Sequence, residues 1–103
     1  MNTEEKELYI EALKLTGESM QIMICIEEMN ELSQALIKYL RNDGFAKYKI
    51  KDSIAEELGD VQIMIDQMAV TFDIEKEIHD FKIKKLERLK TRIAMGLKNK
   101  GGN

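Results

Sequence analysis

The feature that most constrains the fold is an apolar repeat at helical spacing in a chain that has no proline. Apolar residues three and four positions apart return to one face of an α-helix. Such a repeat, with steps of four, three, four and four, is formed by Cys25, Met29, Leu32, Leu36 and Leu40. With no Pro and six Gly among 103 residues, the chain has few of the residues that make the tight turns of β folds. We therefore predict an all-α fold, a four-helix bundle-like arrangement that forms an oligomer.

Four helices are predicted, separated by short turn signals. They cover residues 3–15, 18–41, 52–72 and 74–94. Gly17 marks the first break, and the Asn-Asp-Gly sequence at 42–44 is a strong stop signal. The length fits one domain, which we place at residues 1–97 and follow with a loose tail at 98–103.

Two further boundaries are predicted from local signals. A basic loop is expected at residues 45–51, because Ser53 and Glu56 match a capping box at the start of the third helix. Asp73 is expected to cap the fourth helix.

The stretch at residues 20–26 is apolar almost all round the second helix. A helix that is hydrophobic on every side requires burial on every side. Three other short helices offer too little surface for this, so we predict that the stretch lies in a subunit interface. A crowded monomer core is the alternative.

Composition argues against several kinds of partner. The formal net charge of -3 argues against a broad cationic surface for nucleic acid. The single cysteine, Cys25, cannot form an internal disulfide and is interpreted as a core residue. No signal peptide is recognised, and the apolar stretch at 20–26 is too short to cross a bilayer. We therefore expect no membrane contact and a cytoplasmic location.

Two pairs of carboxylates interrupt the apolar faces of the second and third helices. Glu28 and Glu31, like Glu57 and Asp60, are spaced i, i+3, which places each pair on one face with Cβ atoms about 5–6 Å apart. Glu57 also shares a helical row with the apolar Val61. These positions suggest a site that the two pairs share.

Carboxylates against apolar surface are costly unless they pair with Lys or Arg, take up protons or bind a metal. No Lys or Arg lies within one turn of these four positions on the same helix. A metal is therefore favoured, with salt bridges from the fourth helix as the alternative. All-oxygen ligation favours Mg²⁺, Mn²⁺ or Ca²⁺. A di-iron site requires Glu-x-x-His on two helices, and the only histidine, His79, does not supply it.

Together, the two carboxylate motifs resemble the signature of the MazG-like all-α nucleoside triphosphate pyrophosphohydrolases. That signature is Glu-Glu-x-x-Glu, a variable spacer and Glu-x-x-Asp. Here it reads Glu27-Glu28-Met29-Asn30-Glu31 and, after a gap of 25 residues, Glu57-Leu58-Gly59-Asp60. The resemblance covers residues 18–92, most of the chain.

The resemblance implies a compact helical bundle that assembles as a homodimer or homotetramer. It also implies an enzyme that cleaves a (deoxy)nucleoside triphosphate between its α and β phosphates. The products would be the monophosphate and pyrophosphate, and the cofactor would be Mg²⁺, with Mn²⁺ as an alternative. A house-cleaning role on non-standard nucleotides would fit this activity.

The same resemblance assigns residues to roles. The implied catalytic residues that also bind the metal are Glu28, Glu31, Glu57 and Asp60. Glu27 matches the first motif position and would orient or deprotonate the attacking water. Lys85 and Arg88 resemble the basic pair of the family, which would neutralise phosphate oxygens.

Two competing hypotheses stay open at this point. The first is a non-catalytic helical oligomer that binds a protein partner or senses a nucleotide. In that case the carboxylates would pair with lysine or arginine instead of a metal. The second is a related hydrolase that acts on a pyrophosphate compound other than a nucleotide.

Overall fold

The computed structural model describes residues 1–42 and 47–96, which form four α-helices and no strand. The helices are α1 (Thr3–Thr16), α2 (Glu18–Arg41), α3 (Lys47–Phe72) and α4 (Glu75–Ala94). The prediction of an all-α fold is confirmed. The predicted tail at 98–103 lies outside the described residues, as does most of the Asn-Asp-Gly stop signal.

The first two helices are separated where the sequence predicts a break. Asn2 and Glu5 cap α1 reciprocally, since each side chain accepts a hydrogen bond from the other residue's backbone N–H, at 2.8 and 2.7 Å. Gly17 has a φ of 86°, which an L side chain rarely adopts. Its N–H donates to the Leu13 carbonyl at 2.8 Å and ends α1.

The third helix begins earlier than predicted. Because α3 starts at Lys47, the prediction of a loop is wrong for residues 47–51, whereas residues 45–46 lie outside the described part of the chain. Ser53 lies inside the helix instead of capping it. Ile50 is only 6% exposed, and burying such a side chain contributes about 1.5–3 kcal/mol. The Lys47 ammonium also lies 4.6 Å from the centre of the Tyr39 ring on α2. These contacts stabilise as helix a segment that the capping-box signal at Ser53 placed in a loop.

The junction between α3 and α4 also differs from the prediction. Asp73 has a φ of 54°, and its N–H donates to the Val70 carbonyl at 3.2 Å. This left-handed conformation, which Asp tolerates better than most residues, ends α3. The N-cap of α4 is Ile74, and no side chain caps it. The predicted role of Asp73 as the cap of α4 is therefore wrong.

The core lies where α2 packs along α3 and α1 contacts both helices. The buried side chains of the described residues are Tyr9, Gln21, Cys25, Ile50, Val61, Met64 and Ala69. Cys25 is a free core cysteine, as predicted. No described large side chain is less than 2% exposed, so the core of a single chain is thin.

The apolar stretch at 20–26 is buried on one side of α2. Gln21 and Cys25 face the core at 4% and 7% exposure, whereas Met20, Met23 and Ile26 are exposed. The Gln21 amide nitrogen donates to the Thr16 hydroxyl at 2.7 Å, which ties this helix to α1. One chain therefore leaves much of the stretch in contact with water.

The chain divides into two compact units, Met1–Asp73 and Ile74–Asn103. The first contains α1, α2 and α3. The second contains α4, a helix with no buried residue, whose apolar side chains include Phe81 at 59% exposure. No described helix has both the length and the apolar character needed to cross a bilayer.

Candidate metal centre

Three carboxylates from two helices converge between α2 and α3. Glu28 and Glu31 come from α2 and Glu57 from α3, and one carboxylate oxygen of each lies within 4.8 Å of the others. Oxygen ligands about 2.0–2.6 Å from one Mg²⁺ or Ca²⁺ lie about 3–5 Å from one another. The three oxygens are therefore close enough to bind the same divalent cation.

The core side chains explain why these carboxylates face each other. Val61 and Met64 are buried at 8% and 4% exposure and fix the face that α3 turns inward. Glu57 lies one turn before Val61 on that face. On α2, Glu28 follows the buried Cys25 by three residues. Packing the two apolar faces together thus brings the acidic groups of both helices to one place.

Asp60 lies beside this group without belonging to the three-oxygen set. Asp60 is half-buried, and its negative charge raises the pKa of Glu28. The structure therefore brings the fourth predicted ligand near enough to the first to act on its charge.

The carboxylates of the cluster repel one another and raise the pKa values of Glu28 and Glu57. The pKa of Glu28 is raised from 4.5 to about 7, first by burial and then by the neighbouring Asp60, Glu31 and Glu57. Because each of these causes disfavours the ionised carboxylate, Glu28 exchanges its proton near neutral pH.

Glu57 also has a raised pKa, and one of its carboxylate oxygens is available to bind a cation. Burial raises its pKa first, followed by Glu31, Asp60 and Glu56. Its Oε2 atom is buried and has no hydrogen-bond partner. An unpartnered buried carboxylate oxygen is costly, and a cation would supply the missing partner. A set of carboxylate oxygens suits Mg²⁺, Mn²⁺ or Ca²⁺, so the residues present fit the predicted metal.

Basic side chains of the same unit do not neutralise the cluster. Within residues 1–42 and 47–73, none of the four carboxylates forms an ion pair with lysine or arginine. Of the remedies that the sequence suggests, proton uptake and a cation are the two that this unit allows.

The other three predicted site residues lie outside the cluster. Glu27 is exposed on α2, next to Glu28 in the chain but about 100° around the helix. Lys85 and Arg88 are exposed on α4, in the second unit. Their functional roles stay predictions.

A cavity of about 480 Å³ opens from the cluster along the contact between α2 and α3, and we call it the α2–α3 cavity. Its size is within the range of small-molecule sites, about 300–1,000 Å³. It is lined by Glu31, Gln34, Ala35, Lys38 and Asn42 of α2 and by Lys49, Ile50, Ser53 and Glu57 of α3.

Sequence reasoning missed two lysines of this cavity, Lys38 and Lys49. Lys38 follows Glu31 by seven residues, and Lys49 precedes Glu57 by eight, so each lies about two helical turns away, about 20° and about 80° around the helix respectively. A search within one turn overlooks them. Testing spacings of seven and eight residues would have picked out each lysine, but not their placement in one cavity, which depends on how α2 packs against α3.

Comparisons of the chain with protein-family models, with curated proteins and with solved structures found no match. The likeness to MazG-like enzymes consequently depends on the two carboxylate motifs and their flanking residues. Activity, cofactor, oligomeric state and a cytoplasmic location stay predictions.

Proposed function

We propose that this chain is a Mg²⁺-dependent nucleotide pyrophosphohydrolase, with Mn²⁺ as an alternative cofactor. The substrate would be a (deoxy)nucleoside triphosphate and the products its monophosphate and pyrophosphate. One observation carries the proposal: Glu28, Glu31 and Glu57 converge within 4.8 Å, and a buried oxygen of Glu57 lacks a partner. The motif resemblance supplies the reaction.

In the proposed reaction, the oxygen of a water forms a bond to the α-phosphorus. The bond from that phosphorus to the oxygen bridging to the β-phosphorus breaks, pyrophosphate leaves, and the water gives up a proton. A bound Mg²⁺ would supply Lewis-acid activation of the phosphate oxygens and of the water.

The side chains of the chain have separate roles in this proposal. Glu28, Glu31 and Glu57 hold the cation, and Asp60 completes the acidic set beside Glu28. Glu27 is proposed to orient or deprotonate the attacking water; this role is taken from its match to the first position of the motif. Lys85 and Arg88 are proposed to neutralise phosphate oxygens; that role is taken from the motif resemblance.

We also propose that the chain forms a helical bundle that assembles as a homodimer or homotetramer. Met20, Met23 and Ile26 are 51%, 57% and 44% exposed in one chain, although they belong to an apolar stretch. Covering exposed apolar area contributes about 25 cal/mol per Å², which favours association. These exposures support the predicted subunit interface.

The test is to incubate purified protein and Mg²⁺ with a panel of nucleoside triphosphates and other pyrophosphate compounds. We expect equal amounts of monophosphate and pyrophosphate from at least one nucleotide. Glu28→Gln should abolish the activity. Glu7→Gln, which removes an exposed carboxylate of the Glu4/Glu7 pair on α1, should preserve it.

Three results would reject the proposal. They are release of orthophosphate alone, turnover of only a non-nucleotide pyrophosphate, and no turnover of any compound. If Mg²⁺ also leaves the melting temperature unchanged, a non-catalytic oligomer explains the molecule better.

A further inference from the structure

The α2–α3 cavity has a charge order that the metal alone does not explain. On α2 the lining residues run from Glu31 through neutral side chains to Lys38, and on α3 they run from Glu57 through Ser53 to Lys49. On both walls, therefore, acidic residues lie at one end of the cavity, neutral residues in the middle and basic residues at the other end. The helices are antiparallel here, since Glu31 is next to Glu57 and chain positions increase away from the cluster on α2 only.

The two ends of the cavity are a definite distance apart. Lys38 lies seven residues from Glu31 and Lys49 lies eight from Glu57, which corresponds to about 10–12 Å along the helix axes. The long, flexible lysine stems allow both ammonium groups to reach part of the way back towards the centre. A chain of several phosphates spans this length better than a single phosphate does.

The middle of the cavity offers uncharged polar groups. The Gln34 amide and the Ser53 hydroxyl lie on opposite walls between the charged ends. Both side chains can donate hydrogen bonds to anionic oxygens, and neither adds charge. The cavity as a whole thus matches a linear anion whose cation-bound part lies at one end.

From this arrangement we propose that the α2–α3 cavity binds a polyphosphate chain lengthwise and that Lys38 and Lys49 hold its terminal phosphate. The inference rests on the proposed function, because it assumes a cation at Glu28, Glu31 and Glu57. It adds a basis for selectivity, because a triphosphate bound at the metal would contact the lysines more fully than a diphosphate or a monophosphate.

The test measures binding separately from turnover. Titration calorimetry with Mg²⁺ would compare inorganic tripolyphosphate, pyrophosphate and phosphate on wild type, Lys38→Gln and Lys49→Gln. Each substitution should weaken tripolyphosphate binding about tenfold, as for loss of one charge-assisted hydrogen bond, and change phosphate binding less than twofold. Lys38→Arg should retain most of the affinity.

Lys51→Gln is the matched control, because Lys51 is exposed on α3 two residues after Lys49 and does not line the cavity. It should bind tripolyphosphate like wild type. Circular dichroism should show that all variants keep their helical content.

The outcomes separate this inference from the proposed function. If wild type hydrolyses a nucleoside triphosphate but Lys38→Gln and Lys49→Gln retain wild-type tripolyphosphate affinity and KM, the lysine assignment is overturned and the enzyme assignment stands. If no nucleotide is hydrolysed but tripolyphosphate binds in a lysine-dependent way, the enzyme assignment fails and the lysine assignment stands. Equal losses for Lys51→Gln would overturn the lysine assignment as well.

Discussion

The two ends of the α2–α3 cavity hold opposite charges and differ in burial. At one end, Glu57 lines the cavity beside the exposed Glu31, with Glu28 next to them in the cluster; Glu28 and Glu57 are half-buried, and both pKa values are raised. At the other end, Lys38 and Lys49 are exposed, so water solvates their charges. Because an unpaired charge costs more when it is buried, the carboxylates depend more strongly on a bound cation than the exposed lysines depend on a bound anion. Changes at the carboxylate end should therefore have the larger effects.

The largest effect, of the same kind as that of Glu28→Gln, is expected from Glu57→Gln, which removes a half-buried carboxylate from the cluster. Activity should fall by more than about 100-fold, because loss of a residue that only supports a metal ligand already costs about 10–100-fold. Pyrophosphate release at saturating Mg²⁺ measures it. Glu56→Gln removes the same charge from the neighbouring exposed position and should stay within a few-fold of wild type. Equal losses in the two variants would remove Glu57 from the site.

The next effect is stabilisation by Mg²⁺ alone. A ligand at 100 times its Kd stabilises the folded state by about 2.7 kcal/mol. In a domain of this size each kcal/mol shifts the melting temperature by about 4–8 °C, so a rise of about 10–20 °C is expected. Scanning calorimetry with Mg²⁺ and with EDTA, at one protein concentration, measures it. Glu28→Gln should lose most of the rise; a full rise in that variant would place the cation elsewhere.

Without metal, stability should depend on pH in the sense opposite to ordinary acid denaturation. The folded-state pKa of Glu28 is about 7, above its ordinary 4.5, so the folded protein holds a proton that the unfolded chain releases. Stability is therefore lost as pH rises through that window. In EDTA, the melting temperature should fall between about pH 5 and pH 8. Saturating Mg²⁺ should reduce the slope.

Glu28→Gln is the control for this pH dependence, because it keeps the shape of the side chain and removes its titration. Its melting temperature in EDTA should vary less across the same range. A wild-type curve that rises with pH, or a variant with the wild-type slope, would show that Glu28 does not govern the effect.

The sequence was sufficient to predict the groups of the carboxylate end. Helical periodicity shows which residues share a face, so the i, i+3 pairs indicated a common site without knowledge of how α2 packs against α3. The structure brings Glu28 and Glu31 to Glu57, as that interpretation requires, and places Asp60 beside them. The start of α3 was mispredicted because the contacts that hold it, such as the burial of Ile50, are tertiary.

The lysine end could not be predicted in the same way. Whether Lys38 and Lys49 face each other depends on the antiparallel register of α2 against α3, which no spacing within one helix reveals. The register follows from how core residues such as Cys25 and Val61 pack across the interface. Interhelical geometry was thus the missing information.

A smaller effect on stability is expected from a change in the helix backbone at the carboxylate end, which leaves the charges unaltered. Gly59 lies inside α3 between two motif carboxylates, and a Cβ added there meets nothing within 4 Å. Gly59→Ala should raise the free energy of unfolding by about 0.5–1 kcal/mol, because alanine loses less backbone entropy in a helix. Urea unfolding in EDTA measures it. A destabilised variant would show that this surface of α3 is occupied, for example by a second subunit.

The smallest effect is on stability without ligand, where replacing Lys38 and replacing Lys49 should change the free energy of unfolding in opposite directions. Lys38 is in the last turn of α2, where a cation is favourable, and Lys49 is in the first turn of α3, where it is unfavourable. Lys38→Gln should therefore lower the free energy of unfolding by about 0.3 kcal/mol, and Lys49→Gln should raise it by a similar amount. Urea unfolding at low salt measures both, with Lys51→Gln as reference. Since Lys49 lies where the helix dipole disfavours it, a gain in stability on its removal would support a ligand-binding reason for its charge. A loss would instead indicate that Lys49 has a structural partner.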